Sequence, residues 1–402
     1  MKRDDLWKKA EAEIERQAPA AFEVSDWEAA HPEIGGEERG AAQHHRDFLE
    51  QRGFSVELPA WNIETAYKGV LKGSGAGRKA ALMVEYDALE GLGHGCGHNV
   101  HGAMSLLAAA GLAAVMPEIP GELQVLGTPA EETYGGKVVM AERGAFDGLD
   151  FAIMIHSAGG YSYVPDRALA CRGYEFTFEG KSAHAAGSPW NGRSALNGAR
   201  LLLDAMDMWR LQMRPETRIH GIITEGGAYP NIMPERAVVR FHLRAPDKAM
   251  EDELVEKALN SARGAALCTE TRVSWKLFEE PFDSIKPNAA GERMVQAIYD
   301  EMGIPTLKSR EAGGSTDVGN ASWRCPAMQP LLDITDGLPT TAHTREFVSC
   351  CTSPAVHPKI VTGAKILAKA VLTVLTDDET AAAIMADFKK QQPAVSGDAE
   401  RR

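Results

Sequence analysis

A mostly parallel α/β domain with helices on both faces, interrupted by a smaller α+β domain, is the fold class this sequence predicts. Three observations carry it. Short apolar strands alternate with helical segments up to about residue 169, half-buried strand patterns fill about 170–280, and the first rhythm returns over 281–390. At 402 residues the chain also exceeds what one core usually holds, so two domains are the expectation.

Taken in order, 1–20 reads as a charged helix and 36–52 as a second one, ended by Gly53. A short apolar strand at 80–86 leads through a Gly/His/Cys turn into an alanine-rich helix at 98–116. A strand at 123–126, a helix at 136–143 ending near Gly144, and a strand at 151–155 ending at His156 complete the first part. Ligands in such sheets gather beyond the carboxyl ends of the strands. Asp87, Glu131, Glu132 and His156 all lie at or just past such ends. The middle part carries strands at 172–179, 219–225, 236–244 and 271–277, with helices at 192–209 and 248–264. A helix at 290–302, a strand at 328–332 and a helix at 355–376 follow, and 391–402 reads as a disordered tail.

Composition narrows the function. A net charge of -13 speaks against nucleic acid and anionic membranes, which need clustered Lys and Arg. No apolar run approaches the roughly 20 residues of a membrane span. The charged N-terminal stretch lacks the apolar centre of a signal peptide. The six cysteines show no repeated spacing, so reduced thiols in a cytoplasmic protein are expected.

The chemistry concentrates in Gly-Leu-Gly-His-Gly-Cys-Gly-His-Asn at 91–99. A thiol at Cys96 and an imidazole at His98 sit on a flexible turn at a helix N-terminus, whose dipole favours thiolate. Either residue alone reads as ordinary buried structure. Together, among Gly91, Gly93, Gly95 and Gly97 and close to His94 and His101, they favour metal ligation. Glu131 and Glu132 would usually be a solvated surface pair; past a strand end, one can bind metal while the other handles protons. His156 and His343 say little singly. As a set, one thiol, three imidazoles and a carboxylate suffice for two ions roughly 3.5–4 Å apart, a recurrent device for hydrolysis.

In order, Cys-Gly-His-Asn, Glu-Glu, a strand-terminal His, Gly-Lys-Ser-Ala-His-Ala and a late Ala-His-Thr resemble the aminoacylase/carboxypeptidase-G metallopeptidase family. The nearest branches are the p-aminobenzoyl-glutamate hydrolases and aminoacylase-like dipeptidases, and the likeness runs from His31 to the final helix. The resemblance implies a discontinuous catalytic domain, 1–169 with 281–390, and a ferredoxin-like lid or dimerisation domain at 170–280. It implies Cys96 as bridging ligand, His98 and His156 on one metal, and Glu132 and His343 on the other. Glu131 resembles the catalytic base and Asp87 the acid that orients a ligand. Many relatives place a metal-binding His two residues before that Asp. This chain has Glu85, a departure that bears on metal identity and affinity.

In the inserted domain, His184 resembles a histidine that stabilises the oxyanion in the partner subunit's site, although spacing alone favours an ordinary turn histidine. Asn231 resembles a substrate-contacting asparagine. Arg244 is either structural or a fork for a substrate carboxylate. The polar loop 313–317, with Gly314 and Ser315, resembles a pocket lining. The implied activity is metal-dependent hydrolysis of a small N-acyl or N-aroyl amino acid or dipeptide, by a water that two divalent ions activate. Manganese or zinc suits the donors, and cobalt is an option. A homodimer through the inserted domain is implied, with no nucleic acid or membrane partner. Three rivals stand. One is an aminohydrolase releasing ammonia from an aromatic amine, with Trp323 or Arg324 reshaping the pocket; another is a catalytically silent metal-binding protein. The third, Cys96 as a nucleophile with His98, is disfavoured because residues two apart on such a turn rarely align.

Overall fold

The computed structural model describes residues 3–165, 167–308 and 314–390. The tail expectation for 391–402, and Gly313 of the polar loop, lie outside the described residues. The chain forms two compact units. One comprises Met1–Asp166, Ile285–Glu311 and Asn320–Arg402; the other comprises Arg167–Ser284 and Ala312–Gly319.

The strands of the first unit are β1 (Ser55–Glu57), β2 (Tyr67–Lys72), β3 (Lys79–Val84), β4 (Glu122–Gly127), β5 (Phe151–Ile153) and β6 (His156–Ala158). Those of the second are β7 (Ala170–Glu179), β8 (Arg218–Glu225), β9 (Arg236–Ala245) and β10 (Arg272–Leu277). The first unit then resumes with β11 (Ala327–Met328) and β12 (Leu331–Asp333). The helices are α1 (Arg3–Ala30), α2 (Arg39–Glu50), α3 (His98–Ala113), α4 (Gly136–Glu142), α5 (Ala195–Trp209), α6 (Lys248–Thr269), α7 (Ala289–Glu301), α8 (Val318–Ser322), α9 (Arg345–Cys351), α10 (His357–Thr376) and α11 (Asp378–Lys390).

The main sheet runs β1-β2-β4-β3-β5-β11. Its centre is parallel (β4 with β3, β3 with β5, β5 with β11), while β2 and β1 turn antiparallel at one edge. In β3, Leu82 and Val84 and also Ala81 and Met83 are fully buried, so both faces of this strand are covered, as central parallel strands require. Helices α3 and α10 lie against β3, and α1 packs on both.

Two expectations change here. The first helix does not stop at 20 but continues through Pro19 to Ala30. Its buried stripe (Leu6, Ala10, Ile14, Ala18, Ala21, Val24) outweighs the roughly 3 kcal/mol an interior proline costs. The strand expected at 328–332 is two short strands in different sheets, because Pro330 has no N–H to continue a ladder. The matching break on the neighbouring strand means His156 opens β6 instead of ending 151–155, its N–H bound to Pro330 O at 2.9 Å.

The second unit is a fully antiparallel sheet, β10-β7-β9-β8. Phe176, Phe178, Val239, Phe241 and Leu243 form its core with α5 and α6. Ser194 caps α5 through the Asn197 N–H, and Asp247 caps α6 through the Met250 N–H. Strand alternation sends Cys171, Gly173 and Glu175 of β7, and Arg240, His242 and Arg244 of β9, to the opposite face.

Candidate metal centre and active site

The ends of β3, β4 and β5 set the site. Past β3 lie Glu85 and Asp87, then the glycine turn. Gly97 caps α3 at φ 83°, and a Cβ there would sit 2.9 Å from Ser157 Cβ, so only glycine lets Cys96 and His98 follow this path. Past β4 the chain bends at Ala130, at φ 62°, an uncommon left-handed position for a residue with a side chain. Glu38 braces that bend. Its Oε1 accepts the Ala130 N–H at 2.7 Å, and its Oε2 accepts the Gly36 N–H at 2.8 Å and the Thr65 hydroxyl at 2.9 Å. His343 is also left-handed, at φ 67°, and its N–H reaches Gly95 O at 2.7 Å. Two strained residues held by buried partners therefore flank the carboxylates and the late histidine.

The five expected ligands converge. His98 Nδ1 donates to Asp87 Oδ1 at 2.9 Å; burial opposes a charge on this ring, yet Asp87 and Glu85 hold it well above its ordinary value, so before an ion binds Nε2 also carries a proton. That Nε2 is buried without a hydrogen bond, 3.9 Å from Glu132 Oε1. Cys96, His98 and Glu132 present donor atoms all within 4.8 Å of one another. His156 donates from Nδ1 to its neighbour Ser157 O at 2.9 Å, aiming Nε2 at Cys96 Sγ, 3.3 Å away. His343 Nε2 lies 3.2 Å from Glu132 Oε1. A tetrahedral ion with bonds of roughly 2.0–2.3 Å spaces its donors about 3.3–3.8 Å apart, so these gaps and the orphaned Nε2 fit a divalent cation. Asp87 does double duty, since its Oδ2 also accepts the Glu132 N–H at 2.9 Å.

The electrostatics differ from the expectation in one respect. The helix dipole should favour thiolate at Cys96, but complete burial pushes this thiol well up, and Glu132 and Glu131 add to the effect. Desolvation beats the dipole here. Burial also opposes ionisation of Glu132, yet His343 and His98 hold it down to about 2.

Sequence reasoning missed a second layer. Glu85 is fully buried, with Oε1 on Lys137 Nζ at 2.5 Å and Oε2 on His101 Nε2 at 2.9 Å and near His98 Nε2 at 3.4 Å. Burial alone would raise Glu85; Lys137, His98 and His101 hold it well below the usual range. His101 is pushed down to about 3 by burial and is neutral. Its Nδ1 accepts the Ser157 N–H at 3.2 Å, so Nε2–H donates to Glu85, and this ring supports the site without a lone pair to offer. Spacing three residues after His98 on α3 was the available signal. Lys137 and Glu38 gave none, since a lone charged residue normally reads as exposed.

The second unit brings the other expected residues together in two groups. His184 is exposed, and its Nδ1 accepts the N–H of Ala186 at 3.2 Å and of Gly187 at 3.0 Å, which presents Nε2–H outward. The Ala185 N–H to Asn231 O bond, 3.0 Å, ties it to the strip that carries Asn231. Separately, Arg244 Nη1 donates to Ser315 Oγ at 3.0 Å, and Gly314 O accepts the Leu169 N–H at 2.8 Å. Arg244 Nε is buried with no partner. Trp323 lies against Lys286, its ring centroid 5.0 Å from Nζ.

Comparison with known proteins places this arrangement. Residues 79–373 match the model of peptidase family M20/M25/M40. The chain belongs to this family. It is similar to an Xaa-Arg dipeptidase of Mus musculus, 33% identical over 90% of this chain and 87% of that protein. It is also similar to a p-aminobenzoyl-glutamate hydrolase polypeptide of Escherichia coli strain K12, 28% identical over 91% and 90% of the two chains. Among solved structures, a dinuclear metal-binding peptidase of the M20 family from Bacillus subtilis aligns with TM-score 0.71 at 16% identity, covering 90% of this chain and 99% of that one. As an M20 peptidase the protein is a metal-dependent hydrolase of amide bonds. Among the described residues no helix is long and apolar enough to cross a membrane.

Proposed function

We propose that this M20 enzyme is a cytoplasmic hydrolase of the amide bond in dipeptides or small N-acyl or N-aroyl amino acids, using two divalent ions. One observation carries the reading. Five donor side chains from three strand ends and a late loop meet around a buried imidazole nitrogen that has no hydrogen bond. We assign Cys96 as the bridging ligand, His98 and His156 to one ion, and Glu132 and His343 to the other. Manganese and zinc both suit this donor set, and cobalt is a third option.

When bound, the ions supply Lewis-acid polarisation and make water acidic enough to give up a proton near neutral pH. Glu131 takes that proton and later returns it to the departing nitrogen. Asp87 fixes His98 in the Nδ1–H tautomer, keeping Nε2 directed at the ligand cluster. His184, whose Nδ1 is occupied by backbone N–H groups, offers Nε2–H to the oxyanion in the partner subunit's site. Asn231, Arg244, Gly314 and Ser315 receive the substrate, the Arg244 fork suiting its carboxylate. We assign the first unit as catalytic and the second as a lid that also dimerises. The edge strand β8, with Ile222 64% exposed, supports pairing with a second copy.

The test is a panel of dipeptides, N-acyl amino acids and aryl amines, assayed for released amino acid and for ammonia before and after chelation. Amino-acid release that chelation abolishes and manganese or zinc restores is the expected outcome. Ammonia without amino acid, or turnover indifferent to chelation, would overturn the reading.

A further inference from the structure

The helix-free face of the second unit holds a cluster outside the hydrolytic ligand set, although its Cys171 lies beside Arg244 and Ser315. After β10 the chain returns along β7. The Phe278 N–H reaches Gly173 O at 3.1 Å, and Cys171 and Phe282 exchange both backbone hydrogen bonds at 2.9 Å. The returning segment therefore spends four residue steps, 278 to 282, where β7 spends two, 173 to 171. The excess bulges outward and carries Glu279 across the strand. Glycine at 173 makes room, since a Cβ there would lie 2.7 Å from both Glu279 Oε1 and the Phe278 ring. The consequence is a triad. Glu279 Oε1 is 2.8 Å from His242 Nε2 and 4.0 Å from Cys171 Sγ, and all three donors lie within 4.8 Å of one another.

The geometry points to a separate cation site formed by Cys171, His242 and Glu279, with a zinc-class divalent ion as its ligand. One thiolate, one imidazole and one carboxylate match the donor preferences of zinc. The two anionic donors cancel the ion's charge, so occupation adds no further positive charge beside Arg244. Burial pushes the Cys171 thiol up to about 12 although Arg244, its cross-strand neighbour, pulls the other way. Binding therefore exchanges one thiol proton for one metal–sulfur bond and releases that proton to solvent. His242 turns its Nε2 lone pair to the ion in the Nδ1–H tautomer. Entry is open, because the His242 and Glu279 side chains are 30% and 23% exposed. Three protein ligands leave a fourth position for water. The ion would clamp β7, β9 and the returning segment together, joining parts of the sheet far apart in sequence.

The test uses the full chain, stripped with a chelator, titrated with zinc alone and desalted before elemental analysis. Cys171→Ser should hold one zinc fewer per chain than the unaltered protein, and Glu279→Gln should bind the same ion about tenfold more weakly or worse. Cys96→Ala, which removes a ligand of the hydrolytic centre, should still show the Cys171-dependent zinc, so failure of either centre is read separately. Equal zinc in Cys171→Ser and the unaltered protein, or Glu279→Gln binding zinc as tightly as the unaltered protein, overturns the site.

Discussion

Lys137→Met tests whether the buried layer beneath the ligands is electrostatic. Lys137 on α4 is fully buried, and its Nζ meets Glu85 Oε1 at 2.5 Å. Methionine keeps most of the aliphatic stem and deletes the charge, so the packing loss is small. What remains is a buried carboxylate facing His101 at 2.9 Å and His98 Nε2 at 3.4 Å. Removing one partner of a buried pair costs about 3–5 kcal/mol. With packing preserved we expect the lower end, about 3 kcal/mol, a large part of the roughly 5–15 kcal/mol typical of folded domains. Urea unfolding of chelated protein is the assay, because bound ions would add their own stabilisation. Adding Glu85→Gln should recover about half of the loss or more, since the orphaned charge disappears with it. A single variant within about 1 kcal/mol of the parent, or no recovery in the double variant, would refute the reasoning.

Glu131→Gln should lower kcat by about 10²–10⁴ while elemental analysis finds the metal content unchanged. Asp87→Asn should weaken metal binding by about 10–100-fold in a competition titration, because His98 loses the acceptor that fixes its tautomer. Glu251 gives the pH prediction. Burial raises it to about 7 although Arg172 Nε pairs with it at 3.0 Å, and its Oε1 is buried without a partner. A carboxyl raised on folding stabilises fully below the ordinary value of 4.5, and that contribution disappears as pH climbs through about 7. Glu251→Gln should therefore flatten the fall in unfolding free energy, roughly 3 kcal/mol, between those limits; an unchanged slope counts against it.

Periodicity made most of the fold legible. Amphipathic α5 and α7 and strands β7 and β9 carry patterns that local reading recovers, and the glycine turn at 91–97 stands out as a local motif. What escaped depends on contacts between distant residues. Strand β2 joins the main sheet through its pairing with β4, distant in sequence, and the split of 328–332 follows from two different neighbours, β5 and β6. The site shows the same division. Cys96, His98 and the Glu131-Glu132 pair were visible as local motifs. Glu38 and Lys137 carry no such local signal, and only burial against Ala130 and Glu85 gives them a role.

The two layers of the site bear on why Cys96 and His98 sit so deep. A buried thiol at Cys96 is pushed towards its neutral form, and the buried His98 Nε2 has no hydrogen-bond partner. Neither arrangement is stable for its own sake. A divalent cation held by Cys96 and His98 would relieve both, displacing the thiol proton and engaging the His98 nitrogen. The surrounding groups keep the ligand cluster in shape: Asp87 holds the His98 ring, Ser157 O holds His156, and Glu38 fixes the bend before Glu132. Glu85 lies behind His98 with its carboxylate shared between Lys137 and the neutral His101, so it reinforces that wall of the proposed ligand cluster.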